Sequence, residues 1–104
     1  MIIRIWHGWT TLETADFYEN MLKNEIFVGI QNRGIKGFKS IQLLRRQLED
    51  EEEFVTIRRF DNLGAVQEFA GLDDEACVVP DKARAVLSRF DQRSQNYELL
   101  AERL

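Results

Sequence analysis

The first strand-forming stretch, Ile2–Trp9, constrains the fold most. Simple alternation places Ile3, Ile5, His7 and Trp9 on one face and Ile2, Arg4, Trp6 and Gly8 on the other, so bulky groups project both ways. A strand of this kind lies inside a sheet whose two faces both need cover. Thr10 followed by Glu13 has the spacing of a capping box, and Ala15, Tyr18, Leu22, Ile26 and Ile30 then recur at helical period, predicting a long helix over 11–33 that ends at Gly34.

Alternation returns in Phe38–Gln47 and again in Phe54–Phe60, giving two further strands joined by the acidic run Glu49–Glu53, which reads as a solvated hairpin tip. Asp61 or Asn62 can cap a second helix with Leu63, Val66, Phe69 and Ala70 turned inward and Gly71 at its end. Pro80 opens a short helical piece through Ala83, Val86 and Leu87, 89–100 reads as the last strand, and 101–104 as a frayed tail. The order β-α-β-β-α-β specifies an α+β, ferredoxin-like sandwich: one four-stranded antiparallel sheet with helices on one face. Trp6, Phe38, Leu44, Phe54 and Phe60 are then expected on the face without helices, where a second copy of the chain is the simplest cover.

With 104 residues there is room for one core and one domain, 1–104. The 14 basic and 18 acidic side chains leave a net charge of −4, which argues against binding to a nucleic-acid backbone. No apolar run reaches the ~18 residues of a membrane span, and Met1–Arg4 lacks a signal-peptide layout, so a cytoplasmic location is expected. One Cys77 and one His7 supply neither a disulfide nor a usual zinc ligand set.

Several segments resemble the antibiotic biosynthesis monooxygenase-like proteins of the dimeric α/β-barrel superfamily. They include Ile5–Thr10, Glu25–Ile30, Arg33–Phe38, Glu53–Ile57, Phe69–Gly71, Val78–Pro80 and Ser88–Asp91. The resemblance implies a homodimer with its sheets face to face, and in each subunit a pocket between sheet and helices. It also implies oxygenation of an aromatic or quinol-type small molecule without a cofactor, or breakdown of haem. The haem-degrading branch uses an Asn on the first strand, a Trp in the second helix and a His after that helix. Here His7 and Phe69 fall at the first two positions, and no His follows residue 7. No haem, flavin or metal cofactor is therefore expected.

His7 is the natural candidate for a catalytic base, since it alone titrates near neutrality when unperturbed, and a pocket wall would follow if its face meets the helices. A core histidine bonded to a backbone carbonyl satisfies the same pattern. Trp9, Phe27 and Phe69 can line a cavity for a flat molecule or simply pack the core. Arg58 and Arg59 point to opposite faces; register with Val55 and Ile57 selects Arg59 to hold a substrate oxyanion, against a surface ion pair. Tyr18 is a possible phenol donor or a core residue, and Cys77 reads as a small apolar side chain. The non-enzymatic alternative is a dimeric module that binds a hydrophobic small molecule or a partner protein, and an isomerase-like use of the same pocket is a third.

Overall fold

Residues Met1–Leu104 are all described by the computed structural model. Strand β1 (Ile2–Thr11) forms the middle of a five-stranded antiparallel sheet. Its full length pairs with β3 (Glu51–Phe60), from Ile2 opposite Phe60 to Thr11 opposite Glu51. Beyond β3 lies β2 (Phe38–Gln47) at the edge. The other side of β1 is shared by two short strands, β4 (Arg89–Phe90) opposite Gly8 and Trp9, and β5 (Gln95–Glu98) opposite Ile2–Ile5. The last strand expected from sequence is thus broken, and Asp91 turns in at the break, where its N–H donates to the His7 carbonyl at 2.9 Å.

The helical segment begins later than the sequence suggests. Thr10 is fully buried within β1, its hydroxyl donating to the Thr11 carbonyl at 2.8 Å, so no capping box forms with Glu13. Helix α1 (Ala15–Met21) passes through a π-helical turn (Leu22–Ile26) into α2 (Phe27–Asn32), and Gly34 at φ 62° ends the run as expected. Helix α3 (Leu63–Ala70) is capped by the Asn62 side chain, which accepts from the Ala65 N–H at 2.9 Å, and Gly71 at φ 94° ends it. Pro80 sits at the N-cap of the one-turn α4 (Asp81–Arg84).

The acidic run is only partly a turn. Strand β3 starts at Glu51, and the three glutamates are paired: Glu51 with Arg89 at 2.9 Å, buried Glu52 with Arg45 at 2.7 Å, and buried Glu53 with Arg46 at 2.5 Å. Cross-strand arginines extend the strand into residues that composition alone assigns to solvent.

Parity is the main correction. In β1 the even residues Arg4, Trp6, Gly8 and Thr10 are buried, and in β3 so are Glu52, Phe54, Thr56, Arg58 and Phe60. These meet the helices. Phe54 packs with Tyr18 edge to face at 4.9 Å in a cluster with Ala15, Met21, Leu22, Phe27 and Ala83. Phe60, with no exposed surface, lies between the rings of Phe38 and Phe69 beside Ile35, Ala65 and Val66. Full burial of one such ring contributes roughly 1.5–3 kcal/mol. The odd set, Ile3, Ile5, His7 and Trp9 with Val55, Ile57 and Arg59, forms the face that no helix covers, and each of these residues is half-buried. In β1 and β3 the aromatic and aliphatic sets have exchanged the sides expected for them; in β2 Leu44, opposite Val55, stays on the helix-free face while Ile41 and Leu43 pack against the helix cluster, and a register shift after Phe38 lets that ring join Phe60.

Candidate active site between sheet and helices

Trp6 anchors the site. Its indole N–H donates to the Asp91 carbonyl at 2.9 Å and its ring tilts against Phe90 at 5.9 Å. The ring folds back over Gly8, where a Cβ would lie 2.9 Å from two of its carbons and 3.0 Å from the Leu87 side chain. Only glycine leaves this space. Trp6, Tyr18, Leu22, Thr56, Arg58 and Ser94 then wall a chamber of about 20 Å³, enough for about one water. Ile26, Val78 and Pro80 line both this chamber and an open groove of about 330 Å³ that runs between α2 and the 78–82 segment. Gly29, Ile30, Arg33 and Phe69 form the other walls of the groove.

Of two buried arginines on neighbouring strands, Arg58 lines the chamber and Arg4 is buried next to it. Arg4 has no exposed surface; its guanidinium donates to the carbonyl of Asp74, to the carbonyl of Ala76 at 2.6 Å and to Asn96 Oδ1 at 3.2 Å. These contacts tie 74–76 to β1 and β5. Arg58 is 6% exposed, and its Nε has no hydrogen-bond partner; nor has the buried Thr56 hydroxyl beside it. The ion pairs of the protein all involve other residues. Burial, reinforced by the positive charge of Arg4, pushes the Arg58 pKa down to about 10, which leaves it a cation at neutral pH. The guanidinium carbons of Arg4, Arg33 and Arg58 lie 5.6, 5.2 and 5.3 Å from the centroid of the Phe69 ring, which gives the cations an electron-rich surface but no countercharge.

The candidates expected from sequence distribute unevenly around this chamber. Tyr18 lines it and Phe69 lines the groove. Phe27 is buried in the core cluster without lining either. His7 is on the helix-free face, with Nδ1 2.6 Å from Asp91 Oδ2 and its ring stacked on Trp9 at 6.1 Å; Arg89 covers the Trp9 ring at 3.9 Å. Neither His7 nor Trp9 borders the chamber, because the odd residues of β1 face away from the helices. Arg59, also odd, pairs with Glu102 at 3.4 Å on that outer face, and Arg58 takes the inward position. The sequence pattern does not single out Trp6, Thr56, Arg58, Ser94 or the adjoining Arg4 as site residues. A signal for them exists in Gly8, a gap beside Trp6 on one face of a central strand, which marks the face where a large ring must lie flat.

Haem does not fit this donor set. The only histidine is on the opposite face, Cys77 lines neither the chamber nor the groove, and burial raises the Tyr18 phenol.

No helix is long and apolar enough to cross a membrane. No family model and no curated protein matches the sequence. Solved structures do match over nearly the whole chain. A Bacillus cereus protein assigned as an antibiotic biosynthesis monooxygenase superposes with a TM-score of 0.68 at 13% identity, covering 99% of this chain and 96% of that one. The haem degrader MhuD of Mycobacterium tuberculosis, solved with two haems in its active site, gives 0.58 at 16% identity, with 98% of each chain covered. At these identities the likeness establishes architecture: the chain has the α+β, ferredoxin-like fold shared by the antibiotic biosynthesis monooxygenase and the haem degrader.

Proposed function

We propose that the protein is a small-molecule enzyme of oxygenase type, acting without a cofactor on an aromatic or quinol-type compound held between sheet and helices, and working as a homodimer. The observation that carries this reading is the aromatic chamber of Trp6 and Tyr18, which shares walls with a groove lined by Phe69, on the covered side of a sheet whose fold is shared with an assigned oxygenase. In such a reaction the substrate supplies all the electrons: a methylene flanked by aromatic rings and O₂ give a carbonyl and water. The protein needs to exclude bulk water, hold the ring flat and stabilise the electron-rich anion that reacts with O₂. Trp6 and Phe69 suit the second task and the buried cation of Arg58 the third. With His7 on the other face, the proton leaves through water in the groove, and the cation lowers the pKa of the substrate itself.

An oxygen electrode tests this with a panel of polycyclic phenols and quinols. Uptake above the protein-free autoxidation rate, lost in Trp6→Ala, is expected. The second reading, a binding module, is favoured by one observation: no base that titrates near neutrality lines the chamber. Tight binding of the same compounds with no oxygen uptake would establish it instead.

A further inference from the structure

A cation without a partner is costly to bury. Arg58 is almost wholly enclosed, lies beside a second buried arginine, and finds no carboxylate and no acceptor for its Nε. The Nε of Arg4 is likewise unpartnered, but its two terminal nitrogens donate to three acceptors in the 74–76 segment and Asn96, whereas Arg58 makes no such bonds. Apart from the Phe69 ring face, folding gives little reason to keep Arg58: a methionine, the apolar side chain nearest in reach, would fill much of the space with no desolvation penalty. A buried charge left unpaired on the wall of a chamber that shares its lining with a neighbouring groove is what a site for an opposite charge looks like before its ligand arrives.

We propose that the chamber is an anion subsite for the carboxylate of an aromatic acid, with the acid group on Arg58 and the ring in the adjoining groove against Phe69. This rests on the reading that the ligand site lies between sheet and helices, but not on oxygen chemistry. What favours a carboxylate over free phosphate is the apolar groove beside the chamber, which suits an acid group carried on an apolar body. The guanidinium fork can hold a planar pair of oxygens. The Thr56 hydroxyl, buried and unpartnered on the same wall, is a further donor at hand. The groove outside is roomy and carries Ile26, Ile30, Val78 and Phe69, so the body of the ligand is apolar. Arg33 at its mouth is committed to the carbonyls of Glu68 and Phe69, and Lys82 to Glu25 at 2.5 Å, which leaves Arg58 as the cation without a partner.

Calorimetric titration of the full chain with 2-naphthoate, its uncharged methyl ester and inorganic phosphate at pH 7 tests the assignment. The acid should bind, the ester and phosphate at least 10-fold more weakly, and Arg58→Met should reduce the affinity for the acid by roughly 10- to 100-fold while leaving the ester unchanged. Equal affinity for acid and ester, phosphate as the tightest ligand, or an Arg58→Met variant that binds the acid like the wild type would overturn the proposal. The melting temperature of ligand-free Arg58→Met is an independent test that remains decisive even if neither naphthalene compound binds. A rise supports a cation kept for a ligand, and a fall shows a structural one and overturns the assignment. Binding of the acid with no oxygen uptake from any phenol or quinol would remove the oxygenase reading and leave the anion subsite in place.

Discussion

The two faces of the sheet follow opposite rules. The face under the helices carries the polar and charged burden, with Arg4, Thr10, Glu52, Thr56 and Arg58 buried among Trp6, Phe54 and Phe60. The outer face is simpler in chemistry and less covered: Ile3, Ile5, Val55 and Ile57 are all half-exposed in the single chain. Helices and their connecting segments reach over a sheet with carbonyls and side chains that can satisfy polar groups, as 74–76 does for Arg4. A flat aliphatic row offers no such partners and is suited to another flat row about 10 Å away. Charge is therefore concentrated where the ligand chemistry would be, and aliphatic side chains where a second copy would pack.

The largest effect separates the faces directly. Ile5 sits at the middle of the outer face, opposite Ile57 on one side and Gln95 on the other. If the protein is the proposed homodimer, Ile5→Glu should convert it into a folded monomer, since two-fold symmetry buries the new carboxylate twice, and the dimer constant should weaken by at least ~100-fold. Sedimentation velocity with a circular-dichroism melt checks it. A wild-type monomer at micromolar concentration, or an Ile5→Glu protein that stays dimeric, would take this face out of the assembly. Trp6 is unsuited to the purpose, being turned to the helices.

Within the covered face the two arginines should respond in opposite senses. Arg4→Leu orphans the Ala76 carbonyl and the Asn96 amide oxygen and leaves the Asp74 carbonyl only its bond from the Asn96 amide, so a loss of about 2–4 kcal/mol in urea unfolding is expected, with 74–76 the first segment to gain amide exchange. An Arg4→Leu protein as stable as the wild type would show that those acceptors find water instead.

Gly8→Ala should cost about 1–3 kcal/mol by overpacking, because its Cβ meets the Trp6 ring at 2.9 Å, and should change the emission of the Trp6 indole as the ring is pushed aside. An unshifted emission spectrum with unchanged stability would mean that the ring moves freely, and the chamber with it.

Strand and helix order were readable because period-2 and period-3.6 patterns survive in Ile2–Trp9, Phe38–Gln47 and the Ala15–Ile30 stripe, and because Gly34, Asn62 and Gly71 end or cap elements by their own backbone and side-chain chemistry. Face assignment was not. Both sides of β1 are bulky, and hydrophobicity alone favours the Ile3, Ile5 side as the core. The deciding contacts come from 74–96, more than sixty residues away in sequence, which supply Arg4 with acceptors and Trp6 with the Asp91 carbonyl. Of the site, Tyr18 and Phe69 were legible from helical period, whereas Arg58 was lost to Arg59 through the same inversion of parity.

Acid should act on neither face strongly, but on the rim that joins them. Hydrogen bonds from Arg89, Arg93 and the Lys23–Arg45 pair hold the carboxyls of Glu51, Asp73 and Glu19 below their ordinary values. A carboxyl with a lowered pKa in the folded state contributes stability that is fully present above its unfolded pKa of ~4 and is lost as the pH falls through the lowered folded value. These groups are exposed, so the expected change is small and screened by salt. The urea midpoint should hold from pH 7 to about 5 and then fall below pH 4, with a shallower fall at 1 M salt. Asp73→Asn, which frees Arg93 at the edge of the 73–96 segment, should reduce the midpoint slightly at pH 7 and remove part of the acid step. A midpoint rising as the pH drops below 4, or an acid step of the same size in Asp73→Asn, would place the titrating groups away from this rim.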